Sequence, residues 1–263
     1  MSASGDGGLL MAIDVGNTDT VIGLLRNGKL LRHWRVLTEA ERRADEYGML
    51  IWSLYHAAGM EVPEVKGIVV ACVVPPMTAV VEEMCRNYFK VEPLVIGPGV
   101  KTGMPILYEN PREVGADRIC NAVAAFQRTK GATIIVDFGT ATTFDYITVK
   151  GEYLGGVIAP GIGISLDALY SKAARLPRVE MARPPHVVGR NTVNAIQSGI
   201  VYGYVELVDG IVRHIQADEG ATAKVLATGG LAPLIAPEST TISEVDEFLT
   251  LEGLRIIYGL NQG

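Results

Sequence analysis

The sequence carries the same acidic turn motif twice, and its residue types suit the binding of a polyphosphate. Asp14-Val-Gly-Asn-Thr-Asp-Thr20 and Asp137-Phe-Gly-Thr-Ala-Thr-Thr143 both read Asp-x-Gly-x-x-x-Thr. An apolar run leads into each copy, and the turn glycines Gly28 and Gly151 follow their aspartates at the same distance. Two related hairpins of this kind, facing one polyphosphate, predict a phosphotransferase.

The first copy has the residues of a phosphate-binding turn. Gly16 allows the backbone to turn sharply and to bring its N–H groups close to phosphate oxygens. Asn17, Thr18 and Thr20 add short polar side chains as further donors. Phosphate repels Asp14 unless a cation lies between them, which favours a Mg²⁺ ion held through water. The alternative is an ordinary β-turn that uses Asp and Asn as turn formers.

The second copy places three threonine hydroxyl groups around one turn, which is more than a plain hairpin requires. Asp137 is again a candidate for holding a cation, and Thr140 occupies the position of Asn17 in the first copy. The alternative is that the threonines serve strand propensity alone.

A third group of polar residues opens a predicted helix at Glu113-Val-Gly-Ala-Asp-Arg118. Asp117 could accept the proton of an attacking hydroxyl group, and Arg118 could bind a substrate carboxylate through two hydrogen bonds. A solvated helix start is the alternative. Thr228-Gly-Gly230 suits close contact with a nucleotide base or ribose, although a plain loop fits it equally well.

The elements that must position these residues follow the same order in both halves. Three strands in a meander come first, and helices and further strands follow; a doubly wound nucleotide fold would instead alternate strand and helix from the start. The pattern therefore predicts a duplicated α/β architecture of two similar lobes, with the phosphate loops facing a cleft between them. Predicted strands cover 9–14, 20–26, 29–36, 66–73, 94–96 and 224–227, with a second meander over 133–159, and predicted helices cover 40–58, 77–89, 114–128, 160–176, 192–216 and 248–260.

Composition excludes several classes of function. The 263 residues are 48% hydrophobic and carry a net charge of −6, and no run of basic residues exceeds two. A nucleic-acid or anionic-membrane partner is therefore not expected. The three cysteines have wide spacings, which indicates a reducing, cytoplasmic compartment. No apolar run is long enough to span a membrane. The polar segment 1–8 lacks signal-peptide features, and we expect it to be an extension ahead of Met11.

Six motifs follow one another along the chain: Asp14–Val21, Gly115–Arg118, Asp137–Thr143, Gly155–Gly161, Gly189–Thr192 and Ala227–Leu231. This ordered set resembles the motifs of type III pantothenate kinases. The similarity runs from about residue 10 to residue 261, and Leu249-Thr-Leu-Glu-Gly-Leu-Arg255 is similar to the C-terminal helix of that family. The first motif alone is shared with many actin-like ATPases, whereas the ordered set is far more specific.

The resemblance implies the acetate and sugar kinase/Hsp70/actin fold. This fold has two duplicated ribonuclease H-like lobes, each with a mixed five-stranded sheet and helices on both faces. We expect the N-terminal lobe to span 9–113 and the C-terminal lobe 114–263, with the interlobe helix at 114–128. The implied reaction is ATP-dependent phosphorylation of pantothenate to 4'-phosphopantothenate, the first step of coenzyme A biosynthesis. Members of the family are typically homodimers that need a divalent cation such as Mg²⁺ and a monovalent cation, K⁺ or NH₄⁺.

The family also implies a role for each matching residue. Asp117 is expected to be the proton acceptor, and Asp137 to bind the monovalent cation, which replaces the Mg²⁺-like role inferred from spacing. ATP is expected to contact Asp14, Val15, Gly16, Asn17, Thr18, Asp19, Thr20, Val21 and Thr140. Pantothenate is expected to contact Tyr108, Gly115, Ala116, Asp117, Arg118 and Thr192. The alternative function is that of an actin-like or Hsp70-like ATPase that acts as a regulatory or accessory factor.

Overall fold

The computed structural model describes residues 8–60, 65–173 and 175–262. The segment predicted to be an N-terminal extension therefore lies, up to residue 7, outside the described residues. Within these ranges the strands are β1 (Leu9–Val15), β2 (Asp19–Arg26), β3 (Lys29–Leu37), β4 (Val65–Cys72), β5 (Leu94–Val95), β6 (Thr133–Phe138), β7 (Ala141–Ile147), β8 (Tyr153–Pro160), β9 (Lys224–Thr228) and β10 (Glu244–Val245). The α-helices are α1 (Ala44–Ala57), α2 (Pro75–Met84), α3 (Ala116–Thr129), α4 (Ile162–Lys172), α5 (Thr192–Asp218), α6 (Ala232–Ile235) and α7 (Leu249–Leu260).

The chain forms two compact units that interleave along the sequence. The first contains residues 1–103, 110–124 and 250–263, and the second contains residues 104–109 and 125–249. The sequence-based division has one boundary, between residues 113 and 114, whereas in the structure α7 groups with the first unit. The assignment of two related halves along the chain stays a prediction.

The first unit is built on a mixed five-stranded sheet of order β3-β2-β1-β4-β5. β1 is antiparallel to β2 and parallel to β4. Alternate residues of β1, such as Met11 and Ile13, are buried in a core formed with α1 and α2. Asn27 and Gly28 both have positive φ, at 53° and 76°, as the tight turn between β2 and β3 requires.

The second unit repeats this topology, with a sheet of order β8-β7-β6-β9-β10. β6 is antiparallel to β7 and parallel to β9, as β1 is to β2 and β4. Its core packs the sheet against α4 and α5, with Phe144 and Val208 fully buried. The two mixed sheets with identical strand order confirm the predicted α/β fold class.

Most predicted elements are present, and the differences have local causes. The helix predicted over 40–58 begins at Ala44, because the Glu46 carboxylate accepts a hydrogen bond of 2.7 Å from the Arg43 N–H and caps the helix there. The helix predicted over 77–89 ends in a π-helical turn at Cys85–Phe89. The sequence reading missed α6, β10 and the 3₁₀ turn at Pro111–Glu113, which are too short to show a period.

Candidate active site

The first acidic hairpin lies at the carboxyl end of β1. Asp14 pairs with Val21 across the hairpin, and the turn closes through a hydrogen bond of 3.0 Å from the Gly16 N–H to the Asp19 carbonyl. Asn17 and Thr18 are exposed at the tip. The turn therefore presents backbone and short polar side chains to solvent, as the binding of phosphate requires.

Two of the residues predicted to contact ATP in this hairpin have buried side chains. Val15 belongs to the core of the first unit. The Thr20 hydroxyl is fully buried, lies 2.9 Å from the Thr38 hydroxyl and is within 3.5 Å of the Tyr47 hydroxyl. Both residues have no solvent-accessible surface in this structure, so the accessible part of the hairpin is its tip.

The second acidic hairpin is one residue shorter than the first. Asp137 pairs with Thr143, and the turn closes through a hydrogen bond of 3.1 Å from the Gly139 N–H to the Ala141 carbonyl. The sequence motif Asp-x-Gly-x-x-x-Thr aligns Thr20 with Thr143, but the strand pairing of the two hairpins differs by one residue. In the structure Thr142, not Thr143, corresponds to Thr20 of the first copy.

Two glycines allow backbone segments to press against this second turn. A Cβ atom at Gly161 would lie 2.1 Å from the Thr140 carbonyl oxygen. A Cβ atom at Gly229, where φ is +89°, would lie 2.7 Å from Oδ1 of Asp137. The Thr228-Gly-Gly230 loop, for which the sequence suggested a base or ribose contact, thus runs directly beside the Asp137 carboxylate.

The predicted proton acceptor lies in the first turn of α3. Oδ1 of Asp117 accepts a hydrogen bond of 2.7 Å from the Arg118 N–H. A Cβ atom at Gly115 would lie 2.4 Å from the same oxygen, so glycine leaves the room that this carboxylate occupies. Burial raises the pKa of Asp117, and the N–H and charge of Arg118 oppose that rise only in part. A carboxyl group with a raised pKa suits general-base catalysis near neutral pH.

The first unit brings Asp14 and Asp117 into the same neighbourhood. The thiol of Cys120, one turn after Asp117 on α3, is fully buried. Its burial, together with the negative charges of Asp14 and Asp117, raises the pKa of Cys120 well above its usual value. Arg118 is also largely buried. The carboxylates of Asp14 and Asp117 are therefore both near enough to α3 to act on the Cys120 thiol, and the Arg118 charge acts on Asp117.

Tyr108 and Thr192 belong to the second unit. The Tyr108 ring lies 6.5 Å from the Tyr153 ring and would lie 3.5 Å from a Cβ atom at Gly155. The Tyr153 hydroxyl in turn donates a hydrogen bond of 2.5 Å to Asp145. The sequence predicted Tyr108 as a contact but not its packing against Tyr153 or the hydrogen bond to Asp145. Contacts between residues distant along the chain leave no local pattern in a sequence.

Thr192 is the first residue of α5, directly after Asn191, whose side chain caps the helix by accepting a hydrogen bond of 2.8 Å from the Asn194 N–H. Thr192 lies on the wall of a largely apolar cavity of about 540 Å³ within the second unit. The other lining residues are Leu169, Leu176, Gly189, Arg190, Asn191, Ala195, Ile196, Gly199 and Ile200. The sequence predicted Thr192 as a contact but gave no sign of the cavity.

Comparison with known proteins places this geometry in a family. The family model described as type III pantothenate kinase matches residues 10–214. A type III pantothenate kinase from Myxococcus xanthus (strain DK1622) is 60% identical over 253 residues, which cover 96% of this chain and 99% of that protein. The enzyme of the same name from Pelobacter propionicus is 57% identical over 254 residues, which cover 97% and 100%.

The chain belongs to the type III pantothenate kinase family. This membership confirms the prediction that the chain is a pantothenate kinase, an enzyme that phosphorylates pantothenate with ATP in the first step of coenzyme A biosynthesis.

Several solved structures resemble this chain in fold, at sequence identities too low to indicate function. A Baf family protein from Campylobacter jejuni, described as a transcriptional activator, has a TM-score of 0.60 and 19% identity, with 95% of this chain and 98% of that chain covered. An inorganic polyphosphate/ATP-glucomannokinase from Arthrobacter sp. strain KM has a TM-score of 0.52 and 12% identity, with 97% and 100% covered. Resemblance to such kinases confirms the predicted actin-like fold.

Proposed function

We propose that Asp117 is the proton acceptor of the kinase reaction and that Arg118 binds the carboxylate of pantothenate. As the pantothenate hydroxyl oxygen attacks the γ-phosphorus, its proton passes to the Asp117 carboxylate and the bond to the ADP oxygen breaks. The observation that carries this proposal is the half-buried carboxylate of Asp117, with its raised pKa, at the N-terminus of α3. We further propose that Tyr108, Gly115, Ala116 and Thr192 contact the rest of pantothenate.

The nucleotide is proposed to bind through its phosphates to the exposed turns of both acidic hairpins. The proposed contacts are the stretch Asp14 to Val21 and Thr140, in which the exposed turn residues would supply backbone N–H groups and short hydroxyl or amide side chains. Both turns have a glycine at the third motif position, and the tips are exposed. Backbone N–H groups of this kind bind phosphate without basic side chains.

A divalent cation fits the residues of the first hairpin. Among the described residues, no cluster of three or more His, Cys, Asp or Glu side chains could hold a metal ion. A single carboxylate is sufficient for Mg²⁺, which keeps several water ligands and takes others from phosphate oxygens. Asp14 is the proposed protein contact, and the ion would neutralise phosphate charge during transfer.

The monovalent cation, K⁺ or NH₄⁺, is proposed to bind at Asp137. The Thr143 hydroxyl oxygen is buried without a hydrogen-bond partner in the described part of the chain, and Thr143 lies directly opposite Asp137 in the strand pairing. A carboxylate and a hydroxyl oxygen on one face of a sheet form a donor set that suits a cation with oxygen ligands.

The enzyme is also proposed to act as a homodimer in the cytoplasm, without a nucleic-acid partner. β8 is the edge strand of its sheet, and Ile158 on it is 63% exposed. Val157 and Ile164 are exposed nearby in sequence. An apolar edge strand tends to be covered by another chain. No helix in the described ranges combines the length and apolarity that crossing a membrane requires.

The Asp117→Asn variant tests the proposed chemistry. It keeps the shape of the side chain but cannot accept the proton, so kcat is expected to fall by roughly 10²–10⁴ while the KM for ATP stays within about twofold. The assay is coupled ADP release with K⁺, in the presence and absence of pantothenate. A variant with the wild-type kcat would rule out Asp117 as the base. ADP release that does not depend on pantothenate would favour the ATPase alternative.

A further inference from the structure

The C-terminal helix crosses the catalytic helix at a point where only glycine fits. A Cβ atom at Gly253 of α7 would lie 2.0 Å from the carbonyl oxygen and 2.4 Å from the carbonyl carbon of Cys120 on α3. Both distances are far below van der Waals contact, so any side chain at position 253 must separate the two helices. Gly253 and Cys120 are both buried.

α7 is held on its other side by the sheet of the first unit. A Cβ atom at Gly23 of β2 would lie 2.7 Å from the Leu251 side chain. A Cβ atom at Gly67 of β4 would lie 1.9 Å from the Tyr258 hydroxyl. The helix therefore already rests directly on strand backbone at two points, and it has no room to retreat from α3 toward the sheet.

A second contact joins the helices one turn from Gly253. The Thr250 hydroxyl donates a hydrogen bond of 2.8 Å to Oδ1 of Asn121, and Asn121 is fully buried. Asn121 and Cys120 lie four and three residues after Asp117, which puts them one helical turn from the proposed base. A displacement of α3 at this crossing therefore also moves the Asp117 carboxylate, because only one helical turn separates them.

We infer that Gly253 is a positioning residue for the kinase reaction: the close crossing of α7 over α3 fixes where the Asp117 carboxylate lies. This inference rests on the proposed role of Asp117 as proton acceptor. Gly253 does not contact the reacting atoms, and its effect passes through the backbone of Cys120. Proton transfer depends steeply on the distance between base and hydroxyl, so a shift of about 1 Å lowers the rate by up to about 10²-fold.

The test compares Gly253→Ala with Gly259→Ala. Both residues are in α7, but nothing lies within 4 Å of a Cβ atom at Gly259. In Gly253→Ala we expect kcat to fall by about 10- to 100-fold with the KM for ATP within about twofold of wild type. We also expect the acid limb of the pH profile of kcat/KM to move, because the surroundings of the carboxylate change. Gly259→Ala should keep the wild-type kcat and pH profile.

Two results would overturn the inference. One is a folded Gly253→Ala protein, judged by circular dichroism, with wild-type kcat and pH profile. The other is a fall in kcat accompanied by an equal rise in the KM for ATP and an unmoved acid limb, as general damage to the first unit would produce. If Asp117→Asn itself keeps full activity, the proposed base is wrong; if only Gly253→Ala does, the positioning role alone is wrong.

A milder pair of variants decides the matter if Gly253→Ala does not fold. Thr250→Val removes the hydrogen bond to Asn121 at nearly constant volume, whereas Thr250→Ser retains the hydroxyl group. We expect kcat to fall by about 3- to 10-fold in Thr250→Val, on the scale of one lost hydrogen bond, and to recover in Thr250→Ser. Wild-type kcat in a folded Thr250→Val enzyme would overturn the inference.

Discussion

Replacement of Asp209 by asparagine is expected to destabilise the second unit by about 2 kcal/mol at pH 7. Asp209 lies on α5 and is almost completely buried. Its carboxylate accepts hydrogen bonds of 2.5 Å from the Ser239 hydroxyl, 2.7 Å from the Thr240 N–H and 2.7 Å from the Thr241 hydroxyl. This single carboxylate holds the loop that leads into β10.

The magnitude follows from the pKa of the carboxyl group. Burial by itself would raise the pKa of Asp209, but the hydrogen bonds from Ser239, Thr240 and Thr241 outweigh burial and lower the pKa from 3.8 to about 2. Each pKa unit by which the folded state differs from the unfolded state contributes about 1.4 kcal/mol to the free energy of unfolding. Because the folded pKa is lowered, this stability is fully present above about pH 4 and is lost as the pH falls toward 2.

Urea-induced unfolding at pH 7, 5 and 3.5, followed by circular dichroism, measures the effect. The difference in unfolding free energy between wild type and Asp209→Asn should reach about 2 kcal/mol at pH 7 and pH 5 and should be smaller at pH 3.5. Glu206→Gln is the matched control, since Glu206 lies on the same helix with an exposed side chain 3.9 Å from Arg213. The free energy of unfolding of Glu206→Gln should stay within about 0.5 kcal/mol of the wild-type value. An equal loss in both variants, or a difference independent of pH, would refute the reasoning.

Three further predictions concern the kinase reaction. Gly161→Ala must move the Thr140 turn by about 1 Å to relieve a contact of 2.1 Å, so the KM for ATP should rise by at least about tenfold, whereas Gly163→Ala, with nothing within 4 Å, should leave it unchanged. The raised pKa of Asp117 predicts that kcat falls on the acid side at a pH above 3.8, and a limb at or below that value would contradict it. Arg118→Ala should raise the KM for pantothenate more than the KM for ATP, and equal effects would exclude a carboxylate contact.

The sequence predicted the fold because its repeat and its periodicity are local signals. The apolar runs before Asp14 and Asp137 and the turn pair Asn27-Gly28 are each readable within a few residues. The motif letters do not give the strand pairing, because the hydrogen bonds of each turn, and not the spacing of Asp and Thr, place Val21 opposite Asp14 and Thr143 opposite Asp137. A difference of one residue in a turn reverses which side chains point to which face.

The candidate site was predictable as a set of motifs but not as an arrangement. Gly115 and Asp117 are recognisable from their order, while the reason for glycine at 115 is the oxygen that occupies the space of its side chain. Gly161, Gly229 and Gly253 stand in recognisable motifs, but the sequence does not say which atoms lie against them. Their importance lies in segments distant along the chain that approach them, and a local pattern cannot record such contacts.

The grouping of α7 with the first unit also has a consequence for how the polypeptide matures on the ribosome. Leu251 and Tyr258 cover strand backbone at Gly23 and Gly67, although more than half of the chain separates them in translation order. The N-terminal sheet therefore stays uncovered on that face until α7 emerges, while residues 104–109 and 125–249 can already form the second unit. Contacts of such long sequence separation form slowly, so the nascent N-terminal sheet is the part that most needs protection from aggregation during synthesis.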